Sequence, residues 1–205
     1  MKVLLTAADS DLGEIINNGL CDISTIRPVG MSESSTIQGY ECVNLLSSEG
    51  VNRSLLGISH IIHALPYVAR CDNSKDGENN LLDLVARSTF VLAKAAIEAS
   101  VTRLVLVSRL DIMRGYDESY AVDSTWQPRP GADADSMAPH MAELVCREIA
   151  RTGKISVSAL RLGTLGIEIE PSEVVNAVQI ALTEPLTENY HWTLKHVASR
   201  GRFAL

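Results

Sequence analysis

At 205 residues, with 46% hydrophobic and 21% charged side chains, the chain has the composition of one globular domain able to bury a substantial core. Its formal net charge of -7 excludes nucleic acid and an anionic membrane surface as principal partners, because both need a basic face. No window approaches roughly 18 consecutive apolar residues and no basic leader precedes the first strand, so a cytoplasmic protein without a membrane span is expected.

Residues 2–6 are a short apolar run, and Leu12, Ile15, Ile16 and Leu20 then recur at helical spacing. This predicts a buried strand, a tight turn and a helix, the opening of a dinucleotide-binding βαβ unit. In such a unit glycines let the backbone approach a pyrophosphate seated on the helix N-terminus. The turn here reads TAADSDLG, so Gly13 is present while Ala7 and Ser10 stand where the earlier glycines would be. Ala7 is a modest burden if its φ stays negative, and Ser10 sets a Cβ against the phosphate. Asp9 and Asp11 add charge beside the anion site. One such charge at about 4 Å opposes an anion by roughly 4 kcal/mol at an effective dielectric of about 20. Asp9, Ser10 or Asp11 is also suited to cap the helix, taking N–H groups that a phosphate would otherwise use.

Further strands are predicted at 23–27, ended by Pro28, and at 41–46, 59–65, 103–108, 155–160 and 191–197. Helical patterns cover 79–99, 138–151 and 172–182, and 111–135 reads as a long loop rich in Asp, Tyr, Pro and Gly. Short strands alternating with helices imply an α/β fold, a doubly wound parallel sheet with helices on both faces. No repeat or linker divides the chain, so a single domain over 1–205 is expected. His60 and His63 in the fourth strand read as core histidines bonded to backbone. Cys21, Cys42, Cys71 and Cys146 lie apart without CxxC pairs, which predicts buried thiols and no metal site.

The order of motifs resembles the NAD-dependent epimerase/dehydratase group, the extended short-chain dehydrogenases. TAADSDLG stands for TGxxGxxG, GISHIIHAL at 57–65 for GVDxVxHLA, SVTRLVLVS at 100–108 for GVKRxVxxS, and LRLGTLG at 160–166 for LRPGNVYG. Asn44 stands where the family has an acidic residue after the third strand. The resemblance implies a Rossmann-like NAD(P)-binding domain with only a vestigial C-terminal substrate region. It places cofactor contacts at Ala7, Ser10, Asp11, Leu12, Gly13, Arg27, Asn44, Leu45, Ala64, Leu65 and Pro66. Arg27, at a strand end facing the adenosine ribose, suits a 2′-phosphate or is simply solvated. Trp126 walls a pocket or packs the loop down.

In the family a Ser or Thr polarises the substrate carbonyl, a Tyr is general acid or base, and a Lys lowers that Tyr's pKa. Here those positions hold Leu110, Asp135 and Pro139, and none can do the work: there is no donor, no phenol and no cation. No catalytic residue is therefore assigned. The resemblance implies a catalytically degenerate protein, a nucleotide or small-molecule binding or assembly module, with weak or absent binding of NADP or NAD. The alternative is an NADP-dependent oxidoreductase or sugar-nucleotide epimerase/dehydratase with its acid/base relocated to Tyr116, Tyr120 or His140. Family practice also implies a homodimer, or a heterodimer with an intact relative, through the helices at 79–99 and 138–151.

Overall fold

One parallel sheet organises the computed structural model, which describes residues 1–65, 75–185 and 191–204. Its strands are β1 (Lys2–Thr6), β2 (Thr25–Gly30), β3 (Glu41–Cys42), β4 (His60–Ala64), β5 (Arg103–Arg109), β6 (Ser156–Leu162) and β7 (Trp192–Val197). They lie in the order β3-β2-β1-β4-β5-β6-β7, so the winding reverses between β1 and β4. The helices are α1 (Asp11–Leu20), α2 (Ser48–Ser54), α3 (Lys75–Leu82), α4 (Ser88–Glu98), α5 (Ala134–Ala150) and α6 (Pro171–Thr183). The fold is the doubly wound, Rossmann-like arrangement expected from the strand and helix pattern.

Period-two alternation sorts the core. Val3 and Leu5 of β1 pack with Leu12, Ile16 and Leu20 of α1 and with Val174 and Val178 of α6. Leu4, between them, faces the opposite layer with Val51 of α2, Leu92 of α4 and Ala142 and Cys146 of α5. Burial on both faces is why these strands read as continuous apolar runs. A third, smaller cluster joins Leu110, Ile112, Met113, Val122 and Phe203. It pins the loop at 111–135, which opens with a 3-10 turn, Leu110–Met113, and is tied by Arg129 N–H to Ile112 O at 2.8 Å. Trp126 packs this loop down, edge-on to Tyr116 with ring centroids 4.9 Å apart.

Several expectations need correction. β2 runs through Pro28 to Gly30 rather than stopping at Arg27. Its outer neighbour, β3, pairs only from Val29, so the missing Pro28 N–H disrupts no ladder on that side. β3 ends at Cys42 because Asn44 folds into a turn, its Oδ1 accepting from Leu46 N–H at 2.9 Å. The turn leads into α2, capped by Ser47, a helix too short for its periodicity to stand out. The helix expected over 79–99 is interrupted by a π turn, Asp83–Arg87, which joins α3 to α4. Of the cysteines, Cys146 is buried, while Cys21 and Cys42 are exposed and unpaired with any sulfur; Cys71 lies outside the described residues. Among the described residues no helix is long and apolar enough to cross a membrane.

His63 is fully buried, but its partners are hydroxyls rather than backbone. Nδ1 lies 2.8 Å from Thr6 Oγ1 and Nε2 2.8 Å from Thr89 Oγ1. Those hydroxyls also approach Ala64 O at 3.1 Å and Val85 O at 2.6 Å. Burial pushes the imidazole down to about 4, so it is neutral around pH 7.

Candidate functional site

At the carboxyl ends of β1, β5 and β6 the structure holds a cleft of about 660 Å³, where ligands sit in open α/β sheets. The β1–α1 turn supplies Asp9, Ser10, Asp11 and Leu12; the far wall is Arg109, Asp111, Leu162 to Leu165 and Ile169.

The turn keeps the shape of a nucleotide loop with different chemistry. Ala7 has φ +48°, the left-handed conformation that a glycine would adopt without strain, so its φ is not negative. A Cβ on Gly13 would fall 2.2 Å from Ala7 O, which explains why this glycine remains: α1 lies directly against the strand end. Ser10 is the N-cap. Its Oγ accepts from Gly13 N–H at 3.0 Å and donates to Ala7 O at 2.7 Å. One helix-terminal N–H that could face an anion is thus already satisfied by a side chain.

Asp9 does not cap the helix. Its Oδ2 accepts from Ser32 N–H at 2.8 Å and Met31 N–H at 3.2 Å, just beyond the end of β2. Burial opposes ionisation of Asp9. The Ser32 hydroxyl and the two amides outweigh it, holding this carboxyl below its ordinary range. Tyr40 lies against the same group, its hydroxyl 3.3 Å from Asp9 Oδ2 and 2.8 Å from Ser32 O. Burial and the Asp9 charge push the phenol up to about 12.

A ladder of ion pairs spans the far rim. Arg109 pairs with Asp111 at 2.6 Å and with Asp135 at 3.4 Å. Arg114 pairs with Asp111 at 2.7 Å and Glu168 at 3.0 Å, and reaches Thr164 Oγ1 at 3.1 Å. Both arginines are therefore matched by carboxylates, from the loops after β5 and β6 and from the start of α5. With Asp9 and Asp11 on the near side, these residues are a poor match for a pyrophosphate.

The three residues that the resemblance sets at the family's acid/base positions make structural contacts. Leu110 is sealed in the third apolar cluster with no exposed surface. Asp135 holds Arg109, and Pro139 is buried inside α5. Below them, Glu143 accepts from Ser108 Oγ at 2.7 Å and from Arg161 at 2.7 to 3.1 Å, a buried pair joining α5 to β5 and β6. Tyr116 donates to Gln127 O at 2.8 Å beneath the Arg129 guanidinium. Tyr120 is 53% exposed, and burial lowers the His140 pKa.

Of the residues assigned to a cofactor, Ser10, Asp11 and Leu12 line the cleft, while Ala7 and Gly13 build its turn. Leu45, Ala64 and Leu65 are buried in the core. Asn44 lines a separate hollow of about 440 Å³ with Cys42, Ser47 and Arg53. Pro66 lies outside the described residues. Arg27 needs correction: it sits three residues before the end of β2, and its Nη1 donates to Ser54 O at 2.7 Å and Leu56 O at 3.0 Å. The guanidinium closes the end of α2, and β2 continues past it to Gly30, so Arg27 is not at the strand end. Arg109, Asp111 and Thr164 were not anticipated; the carboxyl ends of β5 and β6 are the signal that points to them.

No protein-family profile matches the sequence, and no curated protein matches it closely. Solved structures do match the fold. MoeE5 in complex with UDP-glucose and NAD superposes with a TM-score of 0.81 at 19% identity, covering 97% of this chain and 76% of that one. Uronate dehydrogenase from Agrobacterium tumefaciens gives 0.79 at 17%, covering 95% and 76%. Thermus thermophilus UDP-glucose 4-epimerase in complex with NAD gives 0.79 at 16%, covering 97% and 78%. A short-chain dehydrogenase/reductase superfamily protein from Agrobacterium tumefaciens with bound NAD gives 0.71 at 17%; 80% of this chain spans half of that one. At these identities the likeness establishes the architecture alone: this chain has the Rossmann-like fold of these dehydrogenase and epimerase structures.

Proposed function

We propose that the chain is a catalytically degenerate relative of the epimerase/dehydratase proteins, a nucleotide or small-molecule binding or assembly module that performs no hydride or proton transfer. The observation that carries this reading is the set Leu110, Asp135 and Pro139. One is sealed in apolar packing, one is committed to Arg109 and one has no side-chain proton to give. The self-capped turn and the acid-lined cleft support a second element of the reading, that NAD or NADP is held weakly or not at all.

The test is turnover. Purified protein is assayed for NAD(P)-linked oxidation of uronates and for epimerisation or oxidation of UDP-sugars, the compounds named with the solved structures. Rates at the uncatalysed background are expected. Turnover that disappears on Thr164→Ala or Asp11→Ala would overturn the reading.

The assembly role is proposed for helices at 79–99 and 138–151, with a second copy or a catalytically intact relative. Phe90 on α4 and Met141 and Leu144 on α5 are 51%, 38% and 37% exposed, which supports an apolar contact there. Light scattering at high micromolar concentration is expected to give a dimer mass, and a monomer would contradict the homodimer.

A further inference from the structure

We propose that Asp9 is a tethered ligand: its carboxylate occupies an anion nest just beyond β2 and closes that part of the cleft to phosphorylated nucleosides. This deepens the reading of an altered nucleotide cleft and rests on it.

Two consecutive amides, Met31 N–H and Ser32 N–H, converge on the single oxygen Oδ2 at 3.2 and 2.8 Å. Successive backbone N–H groups pointing at one atom form the concavity that proteins use to cup anions. Gly30 makes room for the occupant, since a Cβ there would lie 2.0 Å from Asp9 Oδ1. The carboxylate therefore lies against bare backbone at a strand end.

In dinucleotide folds that strand end faces the adenosine ribose, and a β2-terminal acid or an arginine decides whether a 2′-phosphate is accepted. This chain has neither there; it reads Gly30, Met31, Ser32. Its acid arrives from the neighbouring β1–α1 turn and is held as a phosphate oxygen would be, by the amides. A phosphomonoester entering here meets donors already engaged and a charge of its own sign. With Asp9 removed, the two amides, the Ser32 hydroxyl and the Tyr40 hydroxyl, which lies 3.3 Å from the same oxygen, would be left as an open anion site next to the cleft.

The experiment measures binding of adenosine 2′-monophosphate by calorimetry to the intact chain and to Asp9→Ala and Asp9→Asn, with adenosine as control. Asp9→Asn loses the charge but keeps an oxygen on the amides, so the nest stays filled. Asp9→Ala is expected to bind the nucleotide about tenfold tighter than the parent or better, through charge-assisted amide bonds, with adenosine unchanged. Asp9→Asn is expected to stay within about threefold of the parent. If Asp9→Ala does not fold, Asp9→Ser replaces it, and circular dichroism confirms the fold of each variant. A folded Asp9→Ala or Asp9→Ser with no gain would overturn the proposal. So would a gain in Asp9→Asn equal to that in Asp9→Ala, or an equal gain for adenosine. The readout is affinity and not turnover, so the proposal and the degenerate-enzyme reading can fail separately.

Discussion

His63 makes the protein's stability depend on acidity in a calculable way. Fully buried between Thr6 and Thr89, it titrates at about 4 in the folded chain, against 6.5 for an ordinary histidine. The unfolded chain therefore binds a proton that the folded chain refuses between those values. Stability is complete above about pH 6.5, falls as pH drops towards 4, and this contribution levels off below that. The gap corresponds to about 3 kcal/mol, a large share of the stability of an ordinary domain. Replacing the imidazole by Gln removes the titration and carries a packing cost that does not vary with pH. Urea denaturation of parent and His63→Gln at pH 7.5, 5.5 and 4.5 isolates the effect, because other groups cancel in the difference. His196, also pushed down to about 4 by burial and by Arg161, is one such group. The parent is expected to lose about 2.5 kcal/mol more than the variant between pH 7.5 and 4.5, most of the full gap. Parallel pH slopes for the two proteins would refute the assignment of His63 as a neutral, desolvated core base.

Two further substitutions probe the site's scaffold. Ala7→Gly relieves the left-handed strain at φ +48° and is expected to stabilise by about 0.5–1 kcal/mol, raising Tm by about 1–4 °C; a lower Tm in a thermal melt would contradict the strain. Glu143→Ala leaves the buried Arg161 guanidinium without its carboxylate, and chemical denaturation is expected to show a loss of about 3–5 kcal/mol. A loss under about 1 kcal/mol would mean that the pair exchanges with water more freely than its burial implies.

The central strands were legible because parallel strands covered on both faces must be apolar throughout, and runs such as RLVLVS and SHIIHAL announce that directly. The edge was harder to read. β3 is short and exposed, and Pro28 has the mark of a strand end although the adjacent edge leaves its missing N–H without consequence. Local chemistry at the turn was half legible. The sequence pointed to side-chain capping but not to which side chain, and the structure gives Ser10 to the helix and Asp9 to β2. That choice depends on Gly30 and the Ser32 amide, some twenty residues away, and no local pattern carries it. Arg27 misleads for the same reason. Its partners are carbonyls at the end of α2, a helix whose seven residues give little periodic signal. The ion ladder through Arg109 and Arg114 is likewise tertiary, since its acids come from loops after β5 and β6 and from the start of α5.

The most direct test of the central claim is a calorimetric titration of the intact chain with NADH and with NADPH. A turn whose Gly13 N–H is engaged by Ser10, next to β2-end amides engaged by Asp9 and beside an acid-lined cleft, predicts no saturable binding below about 1 mM for either cofactor. Saturable binding of either with a Kd in the low micromolar range would contradict it.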